Sequence, residues 1–238
     1  MKKRVVFMGG KKIGKRCLDI LRRHPGVELV KIIQNPNEIP WLRKPAMPRN
    51  INHFHEVMLI RQEKPDLIIC VYYDQILKRP LLDIPPMGCI NLHLALAEEY
   101  RGCYPTTWAI INGETETGVT LHYMDEGIDT GPIISQAKVP IYEWDTGKDL
   151  YERCVEAGVG LFRQTLPSIL AGESIGKKQE IDGYVYQHER KFPSHEIPAS
   201  NDLKDYIRAL YFPPWPKPYV DIGGRKFYLV EEGDMPDD

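Results

Sequence analysis

Asn91 and His93 stand two residues apart within the apolar run Cys89-Ile90-Asn91-Leu92-His93. Residues i and i+2 of a strand leave on the same face, so an amide and an imidazole would project together. Leu94 to Tyr100 then reads as a loop, and the carboxyl ends of strands are where open α/β sheets hold ligands. On spacing alone, two satisfied polar side chains remain the plainer explanation. A second candidate is Met124-Asp125-Glu126-Gly127-Ile128-Asp129-Thr130-Gly131, a turn with three carboxylates between two β-branched runs. It lacks the twelve-residue ligand pattern and distal Glu of a calcium loop, and a solvated acidic turn is its default reading. The third is Gly9-Gly10-Lys11-Lys12-Ile13-Gly14. It misses the G-x-G-x-x-G spacing of a dinucleotide reader, and the next strand ends in Gln34-Asn35 rather than an acidic residue, so a dehydrogenase or epimerase loses both halves of its fingerprint. What survives is a glycine turn at a helix N-terminus, able to hold an anion with help from Lys11, Lys12 or Lys15, or else merely solvated.

These groups need a frame. Val5 to Met8 reads as a buried strand, Ile13 to Arg23 as a helix closed by His24-Pro25-Gly26, and Leu29 to Ile33 as the next strand; a βαβ unit makes the sheet start parallel. The Pro- and Asn-rich stretch Gln34 to Asn50 reads as a loop, Phe54 to Lys64 as a helix, Leu67 to Val71 as a strand, and Gly118 to Tyr123 and Ile133 to Val139 as two more strands. Asp149 to Leu170 reads as a long helix capped by Asp145 or Thr146, which Pro167 should kink or end early. A short helix near Leu203 to Leu210, the segment Phe212-Pro213-Pro214-Trp215-Pro216-Lys217-Pro218 and two alternating runs around Gly223-Gly224 follow; the last reads as a hairpin, and Gly233 to Asp238 as a loose acidic tail. The expected fold is therefore α/β and Rossmann-like, a mostly parallel twisted sheet flanked by helices, with a domain over residues 1–183 and a small helix-plus-hairpin extension over 184–238.

Composition narrows the class. The 238 residues, 42% apolar and 10% aromatic, suffice for a real core, and a net charge of −2 argues against a protein whose main business is gripping nucleic acid. No run reaches the length of a membrane span, and the short apolar stretch after Met1 ends at Gly9 without the features of a signal peptide, so a cytoplasmic location is expected. Cys17, Cys70, Cys89, Cys103 and Cys154 are widely spaced with no C-x-x-C, the pattern of reduced thiols rather than a disulfide framework or zinc site. His24, His53, His55, His122, His188 and His195 show no trusted metal-ligand spacing, so no metal is expected.

The segment Gly88 to Ile141, GCINLHLALAEEYRGCYPTTWAIINGETETGVTLHYMDEGIDTGPIISQAKVPI, combines N-x-H, Arg-Gly followed by Pro, T-G-V-T and an Asp-x-Gly turn running into a strand. In that order these elements resemble the catalytic core of the folate-dependent formyltransferases, a family that includes glycinamide ribonucleotide transformylase, methionyl-tRNA formyltransferase and the sugar-nucleotide N-formyltransferases. The resemblance implies a catalytic trio of Asn91, His93 and Asp129, with 10-formyltetrahydrofolate as formyl donor. Its pterin would be held by the loop Tyr73 to Leu77 (Tyr73, Gln75, Ile76, Leu77) and by the turn Asp125 to Asp129 (Asp125, Gly127, Ile128). Arg101, Gly102 and Pro105 match a shaping loop, and Lys11, Lys12, Arg101 and Tyr104 are the residues expected to reach the acceptor.

The family's chemistry asks for these residue types. An amide N–H can meet the charge that grows on the formyl oxygen, an imidazole with its ordinary pKa near 6.5 can take the amine's proton, and a carboxylate can orient it. Within the family, the negative balance after Tyr186 (seven basic against ten acidic residues) opposes a tRNA clamp. The short helix, proline-rich stretch and hairpin resemble the tail of the sugar N-formyltransferases. The expected acceptor is the amine of a nucleotide-linked amino sugar and the expected assembly a homodimer; methionyl-tRNA, glycinamide ribonucleotide, a hydrolase of the formylfolate and a non-catalytic nucleotide-binding scaffold stay open.

Overall fold

The computed structural model describes residues 1–34, 50–180, 185–186 and 203–229. The loop expected over Gln34 to Asn50 lies, but for its ends, outside the described residues, as do His188, His195, the boundary at 183/184 and the acidic tail.

Buried apolar runs become the central strands. β1 (Lys3–Gly9), β3 (Leu67–Val71) and β4 (Cys89–His93) join β2 (Val27–Gln34) in parallel, and β6 (Glu116–Tyr123) and β7 (Ile133–Pro140) add antiparallel strands, in the order β2-β1-β3-β4-β6-β7. Val5 to Met8 and Leu67 to Val71 are each at most 2% exposed, as expected of parallel strands covered on both faces. On one face Val5, Phe7, Ile69, Ile90, Leu92 and Leu121 pack with Ile13, Cys17 and Leu21 of α1 (Lys11–Arg23) and with Leu150 to Leu170 of α5 (Gly147–Ala171). On the other, Val6, Met8, Ile68, Cys70 and Cys89 pack with Val57 and Ile60 of α2 (Phe54–Gln62) and with Leu81 of α3 (Arg79–Leu82). Two further short pieces, β5 (Arg101–Gly102) and α4 (Pro105–Ile111), follow β4, and β5 pairs in parallel with β8 (Val185–Tyr186).

Helix α5 starts with a capping box: Thr146 Oγ1 accepts from the Asp149 N–H at 3.2 Å, and Asp149 accepts from the Thr146 N–H at 3.0 Å. The expectation that Pro167 would end it early is not met; the helix continues to Ala171 and closes on Gly172 at φ 75°. Pro167 faces solvent while Leu166, Ile169 and Leu170 are buried. An interior proline costs about 3 kcal/mol, and burying three large aliphatic side chains at about 1.5–3 kcal/mol each outweighs it.

The C-terminal helix α6 (Leu203–Leu210) sits on the start of α5. A Cβ on Gly147 would lie 2.1 Å from the Ala209 carbonyl oxygen, and Arg208 Nη1 donates to the carbonyls of Tyr142 and Asp145 at 3.0 Å. The expected hairpin is present as β9 (Tyr219–Ile222) and β10 (Arg225–Tyr228), joined by Gly223 and Gly224 at φ 62° and 83°, the backbone a two-residue hairpin turn demands. All five cysteines are free, four of them buried and Cys103 half-buried; burial pushes the thiols of Cys17, Cys89 and Cys154 up to about 12. Among the described residues, no helix is long and apolar enough to cross a membrane.

Candidate active site

The sheet face under α2 and α3 is apolar as far as Cys89 and then changes character. Asn91 and His93 follow Cys89 on that face of β4, and the register opposes Asn91 to His122 and His93 to Thr120 on β6. Directly opposed residues of an antiparallel pair share a face, so four polar side chains form one patch. Two loops close over it. Thr120 ties down the first: its hydroxyl donates to the Ala95 carbonyl at 2.6 Å and accepts from the Ala97 N–H at 3.2 Å and from Gln136 Nε2 at 3.1 Å. The second is the β6–β7 turn, residues 124–132, pinned by Tyr123 N–H donating to the Pro132 carbonyl at 2.9 Å.

That turn delivers Asp129, whose backbone is left-handed at φ 52°. Its carboxylate is the centre of the patch. Oδ1 accepts from Asn91 Nδ2 at 3.1 Å, and Oδ2 accepts from the Gly102 N–H at 2.9 Å. His93 Nδ1 stands 3.4 Å from Oδ2 and His122 Nε2 stands 3.4 Å from Oδ1. Each imidazole spends its other nitrogen on a backbone carbonyl, His93 Nε2 on Tyr100 and His122 Nδ1 on Tyr123, both at 2.8 Å. A carbonyl only accepts, so those nitrogens carry the hydrogens and Nδ1 of His93 and Nε2 of His122 face the carboxylate. Burial pushes the Asp129 carboxyl up, but the charge of His93, the hydrogen bond and charge of His122 and the Gly102 N–H together hold it far below the usual carboxylate range. The carboxylate is thus ionised, and built to stay so. This is an arrangement that can orient an imidazole, offer an amide N–H and relay a proton.

Residues 3–166 match the family model described as Formyl transferase. The chain belongs to the formyl transferase family. A methionyl-tRNA formyltransferase of Geobacillus sp. (strain WCH70) is 37% identical to this chain over 199 residues, 82% of this chain and 61% of its own length; the chain thus spans about three fifths of that relative. By fold the family member resembles a 4-N formyltransferase from Francisella tularensis (TM-score 0.79, 23% identity, 97% of each chain). It also resembles a sugar N-formyltransferase from Shewanella sp. FDAARGOS_354 (TM-score 0.74, 22% identity, 99% of each chain).

The remaining residues expected in the site of this family member fall in three places. The Tyr73–Leu77 loop and the Asp125–Asp129 turn come together: Ile76, Leu77, Lys78, Arg79, Pro80 and Glu126 line one pocket of about 400 Å³. Gln75 Oε1 accepts from the Ile51 N–H at 2.7 Å, which fixes the loop from outside, and Tyr73 packs against the α2–α3 side of the core. Asp125 is spent within its own turn, accepting from the Gly127 N–H at 3.0 Å and from Thr130 Oγ1 at 2.6 Å; Ile128 completes it. Lys11 and Lys12 open α1 beside the end of β1, with Lys11 Nζ 3.0 Å from the Tyr72 hydroxyl and 4.2 Å above its ring. Arg101 is buried in β5, and Tyr104, left-handed at φ 56°, caps α4.

Sequence reasoning passed over His122, treated only as a histidine without metal-ligand spacing, and Gln179. For His122 a signal existed: Thr120 and His122 repeat in β6 the i, i+2 polar spacing of Asn91 and His93.

Proposed function

We propose that this protein transfers a formyl group from 10-formyltetrahydrofolate to the amine of a nucleotide-linked amino sugar. The observation that carries the chemistry is the ionised Asp129 carboxylate 3.4 Å from His93 and hydrogen-bonded to Asn91. We assign the donor's pterin to the pocket lined by Ile76, Leu77 and Glu126, which lies beside the turn that carries Asp129. Asn91 donates an amide N–H to the formyl oxygen as charge grows there. Its Nδ2 donates to Asp129 Oδ1 at 3.1 Å and stands 3.3 Å from His122 Nε2, and the N–H not held by Asp129 is the one offered to substrate. His93 takes the proton of the attacking amine at Nδ1, and Asp129 holds the resulting imidazolium and helps return the proton to the leaving nitrogen.

The acceptor rests on charge and on the tail. A net charge of −2 and an acidic C-terminal balance suit a small anionic nucleotide held by a few local cations, a role we assign to Lys11 and Lys12 at the α1 N-terminus and to Arg101, with Tyr104 beside it in sequence. The tail holds the short helix and hairpin whose sequence resembles that of the sugar N-formyltransferases, and the fold is shared with a sugar N-formyltransferase from Shewanella. The second reading, methionyl-tRNA, is favoured by the 37% identity to the Geobacillus relative and opposed by the missing basic balance. As macromolecular partner we propose a second copy of this chain, supported by the exposed Val220, Ile222 and Phe227 of the hairpin; a monomer mass by light scattering would remove that part.

A tetrahydrofolate-release assay with 10-formyltetrahydrofolate separates the readings. The amines to compare are dTDP- and UDP-linked amino sugars, glycinamide ribonucleotide and methionyl-tRNA, with a control lacking amine. Turnover with one amino sugar alone is expected. Turnover with methionyl-tRNA alone replaces the sugar by the tRNA, release without amine makes the protein a hydrolase, and silence throughout overturns formyl transfer.

A further inference from the structure

Asp129 owes its place to a backbone conformation that L side chains rarely adopt, φ 52°, and something outside the turn must hold it. Residues 173–180 run back from α5 alongside the turn. Lys177 exchanges two backbone hydrogen bonds of 2.7 Å with Ile133, and Gly176 approaches so closely that a Cβ would lie 2.5 Å from Pro132 Cβ. This docking brings the Gln179 side chain onto the turn. Gln179, 4% exposed, donates both hydrogens of its Nε2, to the Asp129 carbonyl at 2.9 Å and to the Gly131 carbonyl at 2.6 Å. One amide group therefore straddles Thr130 and fixes the peptides on both sides of it.

We propose that Gln179 is a positioning residue for the reaction, setting the backbone from which the Asp129 carboxylate meets His93 and Asn91. Gln179 lies beyond residue 166, where the family match ends, so the clamp comes from a segment outside the matched core. The proposal rests on the reading of Asp129 as catalytic. Misplacing a reacting group by about 1 Å can cost on the order of a hundredfold in rate, and the cost falls on kcat when the donor's own contacts persist.

Four forms of the full chain test it: wild type, Gln179→Met, Gln179→Glu and Asp129→Asn. Both Gln179 variants keep the side chain's length and shape; methionine removes the donors, and a carboxylate replaces them with acceptors. Turnover is followed with the amine of the panel above that gives the highest wild-type rate, and hydrogen exchange reports the amides of residues 127–131. Each Gln179 variant is expected to lose about 10- to 100-fold in kcat, with KM for 10-formyltetrahydrofolate within about twofold. Exchange at 127–131 should speed up at least about tenfold while the central strands stay protected. Wild-type kcat and exchange in both variants, beside an inactive Asp129→Asn, overturn the clamp alone. So does a loss seen in KM rather than kcat, or global loss of protection in both, which would make Gln179 merely structural. An active Asp129→Asn overturns the reading beneath it.

Discussion

Asp129→Asn is expected to lower formyl transfer by about a thousandfold, the scale on which positioned acid–base and oxyanion groups act, while the protein stays folded. Asparagine fills the same space but cannot hold an imidazolium. Its amide nitrogen also replaces one of the two oxygens, so either Asn91 or the Gly102 N–H meets a donor where it needs an acceptor. Asn91→Ala and His93→Ala should fall to comparable levels in the same assay. Turnover within about tenfold of wild type in Asp129→Asn would remove this carboxylate from the reaction. The charge itself is read from stability. The Asp129 carboxyl is depressed in the folded protein, so its contribution is fully present above the unfolded value of about 3.9 and is lost as pH falls through the folded one. The stability difference between wild type and Asp129→Asn, measured by denaturant titration, should therefore be constant near neutrality and change in the variant's favour below about pH 4. A difference that stays flat to acid pH contradicts the depressed carboxyl.

Gly131→Ala is the second large effect. A Cβ at this position would lie 1.9 Å from the Tyr123 carbonyl oxygen and 2.8 Å from its carbon, and the contact is backbone that no rotamer change can relieve. The turn must open between Tyr123 and Gly131, which strains the 2.9 Å bond from Tyr123 to Pro132 and carries Asp129 away from the sheet. A loss of about 3 kcal/mol follows from overpacking of this severity, or roughly 10 °C in midpoint at this chain length, with turnover down about a hundredfold. Gly160→Ala is the control: an added Cβ there meets nothing within 4 Å on an exposed face of α5, and alanine in a helix should stabilise by about 0.5–1 kcal/mol. Equal midpoints for Gly131→Ala and wild type would show that the close contact is not real.

What the sequence disclosed follows from the range over which each feature is encoded. The strands around Val5 to Met8, Leu67 to Val71 and Cys89 to His93 announce themselves because burial on both faces demands unbroken apolar runs. The hairpin does so because glycine is free to take the left-handed backbone that both turn positions require. Asn91 and His93 were visible for the same local reason, as polar interruptions two apart. Asp129 was not separable from Asp125 or Glu126 by pattern; only the ordered motif singled it out, since its distinction is a left-handed backbone and contacts made across the fold. Helix α4, with Thr106, Thr107 and Trp108 in seven residues, carries little intrinsic helical signal and went unassigned. His122 depends on which residue of β6 lies opposite Asn91, and Gln179 on where a chain segment docks after α5. Neither fact is written in neighbouring residues.

The groups that meet at Asp129 come from β4, from the loop ending at Gly102, from β6 and from the segment after α5, so they span residues 91 to 179. No one element therefore holds the geometry around the carboxylate; it exists only where all four segments are docked together. A change that undocks one of them can leave every helix and strand in place and still dismantle the centre, which makes catalysis a stricter witness of correct packing than any measure of helix or strand content.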